Sequence, residues 1–365
     1  MADAPALKDF IDRDSVAAVV AAVSAAAGGI DDGAVLEGIF DNDWDDRALK
    51  QRVRHIAVTL RAFLPEEYPE ALGIMREAAE TVETGWMSVW AFNDFVEEYG
   101  VDYPEISLPA LEQFTKLASA EFAVRPFIIR YPDLMAAQMQ EWAQDSDFLV
   151  RRLASEGFRP RLPWGMGIPA IKADPTPVLP ILTLLRADPA ETVRRSVANN
   201  LNDISKDHPD LVVELLDDWS DGSDEMDALI KHATRTLLKQ GHPGALRLLG
   251  FSPTPLIEVG SAGIDPPSAS VGDSVFLELE LLSNASGPQS LMVDYAVVFQ
   301  NASGTGSRKV YKGIVAQLDA GETLRMRRKI SLAQRTTRRV IPGPHSVQVQ
   351  VNGAVVVTVP FDVAD

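Results

Sequence analysis

The sequence predicts a mostly α chain with a β domain: a HEAT-like helical-repeat solenoid over residues 1–250, then an immunoglobulin-like β-sandwich over 251–365. Three observations predict this. Apolar residues recur at intervals of three and four through the first 250 positions, often behind Pro or Asp. Within that stretch a short apolar–Val–Arg pattern comes back several times. From about Gly250 onward the apolar period changes to two.

The first helical element falls at Val16–Ala27, which is apolar but short. Asp3, Asp9, Asp12 and Asp14 precede it, where a secretory signal carries positive charge. An amphipathic helix and a cytoplasmic protein are the expectation, with no membrane span. The repeat signal follows. Phe122-Ala123-Val124-Arg125 resembles Phe148-Leu149-Val150-Arg151-Arg152, then Thr192-Val193-Arg194-Arg195, then Leu229-Ile230-Lys231-His232. The spacings are 26, 43 and 37 residues. Such a period suits the second helix of a HEAT-like pair, which buries its apolar face only by stacking on its neighbours. Because the spacing is irregular, a non-repeating helical bundle stays open on these grounds.

Phe251-Ser252-Pro253-Thr254-Pro255 reads as a linker, because its prolines oppose helix. Val275, Leu277, Leu279 and Leu281 then alternate with Phe276, Glu278 and Glu280. Val347, Val349 and Val351 alternate with Gln348 and Gln350, and Asn352-Gly353 fits a two-residue hairpin turn into Val355, Val357 and Val359. About seven such strands make a sandwich, here without an inter-sheet disulfide.

Composition narrows the chemistry. The chain has 365 residues and no cysteine, which excludes disulfides, iron–sulfur clusters and cysteine zinc sites. Its five histidines are scattered and form no HExxH, so neither a metal nor another cofactor is expected. The net charge of −18 opposes nucleic acid, but it is concentrated. Residues 1–150 carry 28 acidic and 11 basic side chains, residues 151–250 carry 14 and 13, and residues 251–365 carry 10 and 10. A local basic surface beyond residue 150 can still meet a phosphate backbone.

Several segments resemble one family. They are Lys50-Gln51-Arg52-Val53-Arg54-His55-Ile56, Glu121-Phe122-Ala123-Val124-Arg125-Pro126-Phe127, Val150 to Gly157 with Arg159-Pro160-Arg161-Leu162-Pro163-Trp164, and Val193 to Asp203. Together they resemble the HEAT-repeat alkylpurine DNA glycosylases, specifically the AlkC branch, over roughly residues 5–250. The resemblance implies base excision repair: removal of cationic, 3-methyladenine-like bases from double-stranded DNA, gripped in the concave face without a deep base-flipping pocket. A sandwich occurs in some AlkC proteins and not others, which implies an accessory domain. A monomer is expected.

The residues that carry this are read singly. Arg152 and Glu156, four apart, share a helix face. They form either a solvated ion pair or a carboxylate held beside a phosphate-binding arginine; the resemblance implies the second. Arg195, Asn199 and Asp203 are spaced four and four. Measured from Val150 and Val193, Glu156 and Asp203 fall on the same side as Arg152 and Arg195. Glu121 does not share that register and enters through the resemblance alone. Trp164, in a Pro- and Gly-rich loop, either plugs a gap between repeats or offers an aromatic face to a cationic lesion. Trp86, Trp90 and Trp142 read as core. Glu121, Glu156, Asp203 and Trp164 are thus the catalytic candidates. A cationic base is already a good leaving group, so carboxylates near the sugar suffice to stabilise the developing positive charge and orient a water.

Arg151, Arg152, Arg159, Arg161, Arg194, Arg195, Lys231, His232 and Arg235 are candidates to hold phosphates. A second basic group runs from Arg308 to Arg339. There, period two sets Arg325, Arg327 and Lys329 on one strand face and Leu324, Met326 and Ile330 on the other. This stripe reads equally as a DNA clamp or as charge protecting an edge strand. Two rivals to the glycosylase stand: a non-catalytic HEAT scaffold for protein partners, which suits the acidic first 150 residues, and a protein that binds damaged DNA without cleaving it.

Overall fold

The computed structural model describes residues 6–300, 307–334 and 339–364, and the chain divides into two compact units, Met1–Asp207 and His208–Asp365. Arg335 and Arg338 of the second basic group lie outside the described residues.

The first unit is helical. Its helices are α1 (Arg13–Ala26), α2 (Asp32–Ile39), α3 (Leu49–Arg61), α4 (Tyr68–Thr81), α5 (Trp86–Tyr99), α6 (Pro104–Thr115), α7 (Arg125–Arg130), α8 (Pro132–Trp142), α9 (Phe148–Glu156), α10 (Pro169–Ala173), α11 (Leu179–Leu185) and α12 (Glu191–Ile204). Proline opens α4, α6, α7, α8, α10 and α11, where its missing N–H is no loss and its fixed φ suits the first turn. The repeat is clearest in the pairs α8/α9 and α11/α12. Val150 and Val193 are fully buried at matching places. Arg151 Nη1 donates to the carbonyls of Asp145 and Ser146, and Arg194 Nη1 to those of Asp188 and Pro189. In both repeats the arginine reaches back six and five residues to fasten the turn before its own helix.

Phe122-Ala123-Val124-Arg125 is not a third copy. It is a turn leading into α7, because Pro126 in the first turn starts a helix there rather than continuing one. Trp90 and Trp142 are buried as expected, but Trp86 opens α5 on the surface and is half exposed, its ring 5.6 Å from that of Trp90.

The second unit contains α13 (Pro209–Trp219), α14 (Asp224–Ala233), α15 (Arg235–Gln240) and α16 (Pro243–Leu248), then β1 (Ile257–Asp265), β2 (Ser268–Ser270), β3 (Ser274–Ser283), β4 (Gln289–Phe299), β5 (Ser307–Leu318), β6 (Thr323–Ser331), β7 (Gly343–Val351) and β8 (Ala354–Ala364). Helix thus gives way to strand between Leu248 and Ile257, whereas the compact units divide earlier, at Asp207. The last helices pack on the sandwich. Phe251 is buried with Leu237, Leu238, Ala245 and Leu246, and Met292 of β4 packs against that cluster. Asn352 donates to the Ser252 carbonyl at 2.8 Å and accepts from the Met292 N–H at 2.7 Å. A side chain on Gly353 would come within 2.0 Å of Gly241 Cα, so these two turns meet only as glycines.

The sheets are ordered β1-β3-β6 and β2-β8-β7-β4-β5. Val275, Leu277, Leu279 and Leu281 of β3 meet Val347, Val349 and Val351 of β7 in one core. The alternation read from the sequence is seen through β3 and up to Val349 in β7; at the register shift that follows, Gln350 is buried too, and Val355, expected inward, is exposed. Asn352 and Gly353 both have positive φ, 47° and 79°, which suits the tight β7–β8 hairpin.

Candidate functional site

Three carboxylates of the first unit are joined by two arginines. Arg159, in the loop after α9, is buried. Its Nη1 donates to Glu156 Oε1 at 2.6 Å, and its Nε donates to Asp203 Oδ2 at 2.9 Å. Glu156 Oε2 accepts from the Ser196 hydroxyl at 2.6 Å, and Asp203 Oδ1 accepts from Lys206 Nζ at 2.8 Å. Arg152 donates to Glu121 Oε2 at 3.0 Å and to the Ser119 hydroxyl at 2.9 Å, while Ser119 itself donates to Glu121 Oε2 at 2.8 Å. Arg152 Nη2 also lies 3.9 Å from Glu156 Oε1, which ties the two halves.

This differs in detail from the pairing expected from spacing. Glu156 is bridged chiefly by Arg159 and Ser196 rather than by Arg152. Arg195 does not join: it is exposed and pairs with Glu191 at 2.8 Å. Eight residues separate Arg195 from Asp203, which on a helix is about 12 Å of rise and beyond an arginine's reach. The buried polar stripe of α12 is instead Ser196, Asn200 and Asp203, with Asn200 Nδ2 donating to the Ser155 carbonyl at 2.8 Å. That stripe has helical spacing, so its signal was present in the sequence. Ser119 and Lys206 had no such signal.

Burial separates the three acids. Glu156 and Asp203 are enclosed, and all four of their oxygens have partners. Glu121 sits on the turn before α7 with its side chain 14% exposed, and both of its hydrogen bonds fall on Oε2. Its Oε1 is the site oxygen left for a substrate or a water. Burial pulls against the charge on Arg159, but Glu156 and Asp203 outweigh it, so this guanidinium holds its proton more tightly than usual. Arg125, beneath the same loop, goes the other way. Burial and then the like charge of Arg159 pull it down to about 10, against the opposing pull of Asp203, Glu121 and Glu156.

Trp164 does not plug a gap. It is 69% exposed, at a positive φ of 62°. Gly165 beside it packs on Leu162 and Phe122, and the Phe122 ring lies 5.3 Å from Trp90 and under Lys50 Nζ at 4.0 Å. Arg161 pairs with Asp207 and reaches the Asp203 carbonyl. Arg194 is engaged by its own turn, as described. Lys231 is exposed on α14 in the second unit.

The basic stripe of β6 is a charge ladder. In its register with β3, Arg325 faces Glu280 and Arg327 faces Glu278, with nitrogen–oxygen distances of 3.3 and 2.9 Å. Arg327 also lies 4.0 Å over the Phe276 ring. Lys329 stands opposite Phe276 and is exposed. Arg328, on the inward register, reaches the Gly313 carbonyl of β5 at 2.8 Å.

Among the described residues, no helix is long and apolar enough to cross a membrane, and no group of three His, Cys, Asp or Glu side chains could hold a metal ion.

Residues 117–238 match the family model described as DNA alkylation repair enzyme, and residues 258–365 match the C-terminal Ig-like domain of uncharacterised protein YhaZ. Uncharacterized protein YhaZ of Bacillus subtilis (strain 168) is 39% identical over 357 residues, covering 98% of this chain and 99% of its own. The solved structure of Pseudomonas fluorescens alkylpurine DNA glycosylase AlkC bound to DNA containing an abasic site analog is 35% identical, with a TM-score of 0.92 over 99% of this chain and 100% of that one.

Proposed function

Since the chain belongs to the AlkC family of DNA alkylation repair enzymes, we propose that it is a monofunctional glycosylase that hydrolyses the N-glycosidic bond of cationic, 3-methyladenine-like bases in duplex DNA. The observation that carries this reading is Glu121. Its carboxylate has one oxygen fixed by Arg152 and Ser119 and the other free, beside the buried Glu156–Arg159–Asp203 bridge and the exposed Trp164. Breaking the C1′–N bond sends its electron pair to the base, which leaves neutral. Positive charge then develops on the sugar. A preorganised carboxylate stabilises that charge, and the same group accepts a proton from the water that adds to C1′. The products are a free base and an abasic site. Trp164 offers its face to the cationic lesion or its sugar, an attraction of roughly 0.5–2 kcal/mol.

In this reading the base is released without entering a deep base-flipping pocket. Arg152, Arg161, Arg194 and Arg195 are proposed phosphate contacts of the first unit. Lys231, Arg325, Arg327 and Lys329 are proposed contacts of the second unit.

The test is base release. Duplex DNA treated with a methylating agent, incubated with the protein, should yield free 3-methyladenine by chromatography, and little hypoxanthine or ethenoadenine from DNA that contains those neutral lesions. DNA binding with no released base would replace this reading by damage recognition alone. Equal release of neutral lesions would mean that a flipped base is read on its edge.

A further inference from the structure

We propose that Arg125 is a positioning residue for excision: it fastens the loop between α9 and α10 from beneath and thereby fixes Trp164 and Arg159. This rests on the glycosylase reading above. Arg125 is fully buried. Its Nε donates to the Met166 carbonyl at 2.5 Å, Nη1 to Gly157 at 2.9 Å and Nη2 to Arg159 at 2.9 Å. All three carbonyls belong to the one loop, at its start, near its start and near its end. Among the described residues no carboxylate lies within ion-pair distance of Arg125, so its donors serve main chain rather than a counter-ion.

The loop needs such a fastening. Pro160 and Pro163 have no N–H to give, and its own main-chain bonds are few: Arg159 N to Glu156 O, Gly165 N to Leu162 O and Ile168 N to Pro160 O. Trp164 holds a left-handed backbone that a bulky residue adopts only where its surroundings impose it. The Met166 and Arg159 carbonyls bracket Trp164 in sequence, so the guanidinium spans the segment that carries it. A planar fork of five donors can meet three carbonyls set in different directions. A lysine ammonium carries its three donors on one nitrogen and cannot reach carbonyls that Nε, Nη1 and Nη2 meet separately.

The test uses Arg125→Lys, with Arg125→Gln as a second variant. Single-turnover excision by Arg125→Lys should fall about 100-fold, the scale of a reacting group misplaced by an ångström, while circular dichroism and affinity for undamaged duplex stay close to those of the parent. In a Trp164→Ala background the same substitution should cost less than about threefold, because both changes remove one contribution. Trypsin should cut the folded variant after Arg161 about tenfold faster than the parent, reporting local opening of the loop. The protease result does not need base release, so it tests the fastening even if the parent releases no base, and that failure would count against the glycosylase reading alone. Multiplicative losses with Trp164→Ala, or unchanged cleavage after Arg161, would overturn the proposal. Loss of the fold in both the Lys and Gln variants would make Arg125 a residue of the core and overturn it too.

Discussion

Replacing Arg159 by methionine should destabilise the protein more than any other single change at the site. The side chains of Arg159, Glu156 and Asp203 are 8%, 6% and 3% exposed, and the guanidinium bonds both acids. Methionine fills comparable space but leaves two enclosed carboxylates, one still held by Ser196 and one by Lys206. Removing one partner of a buried ion pair costs about 3–5 kcal/mol, because the orphaned charge stays desolvated. For a unit of this size, each kcal/mol moves the midpoint by about 2–4 °C, so a fall of roughly 6–20 °C is expected. Urea unfolding followed by circular dichroism gives the free energy directly. Two further arms identify the cause. Adding Glu156→Gln and Asp203→Asn to Arg159→Met should restore part of the loss, since no charge is then left buried alone. Raising the salt should leave the loss almost unchanged, because screening acts on exposed charges. A loss below about 1 kcal/mol, or one that vanishes with salt, would show a solvated pair and refute the reasoning.

Glu121→Gln should lower single-turnover excision by about 100-fold or more with the melting midpoint unchanged, whereas Glu156→Gln should lower both; a Glu121→Gln variant with parental excision would remove Glu121 from the chemistry. Glu97 of α5 lies among Asp94, Glu98, Lys50 and Arg54, and burial first and the Asp94 charge second push its carboxyl above the ordinary 4.5. The folded state therefore keeps a proton that the unfolded state has released, and stability falls as pH rises from 4.5 through the raised value. Glu97→Gln should melt higher than the parent at neutral pH, with the gain shrinking as pH falls toward 4.5; a constant difference across pH would refute this. With Arg325, Arg327 and Lys329 all on phosphate, replacing the three together by Ala should reduce the salt slope of DNA binding by about 2.7; a fall of about 0.9 would leave Lys329 as the contact, and an unchanged slope would remove the ladder from DNA binding.

Much of the architecture was legible because it rests on local rules. The period-two runs of β3 and of β7 up to Val349 bury one face and leave the other more open, and Asn352-Gly353 supplies the two positive φ angles that a tight hairpin needs. Val150-Arg151 and Val193-Arg194 marked two equivalent helices. What was not legible depends on which distant segments meet. The acids that neutralise Arg325 and Arg327 lie on β3, 45 and 49 residues earlier, and only the β3–β6 register sets them opposite. Trp86 has the company of a core residue in sequence, but the first turn of α5 leaves it outside. The link between Arg159 and Asp203 crosses 44 positions and starts in a proline-rich loop with no periodicity to follow.

The two repeats also explain where the site lies. Glu156 stands six residues after Val150, and Asp203 ten after Val193, so the acids are not equivalent positions of the repeat. They sit about one helical turn apart on neighbouring helices, and a side chain from either helix would have to run diagonally to join them. The connection after α9 provides that link. From Glu156 to Pro169 the chain makes an excursion that carries Arg159, Arg161 and Trp164, whereas α12 passes to α13 within four residues. Arg159 comes down from that excursion onto both acids, and Arg125 holds the excursion from below. The duty that the two repeats share, a turn fastened by Arg151 or Arg194, is scaffolding. The chemistry-bearing groups lie where the two copies differ, so the periodicity of the sequence marks the scaffold and not the bridge.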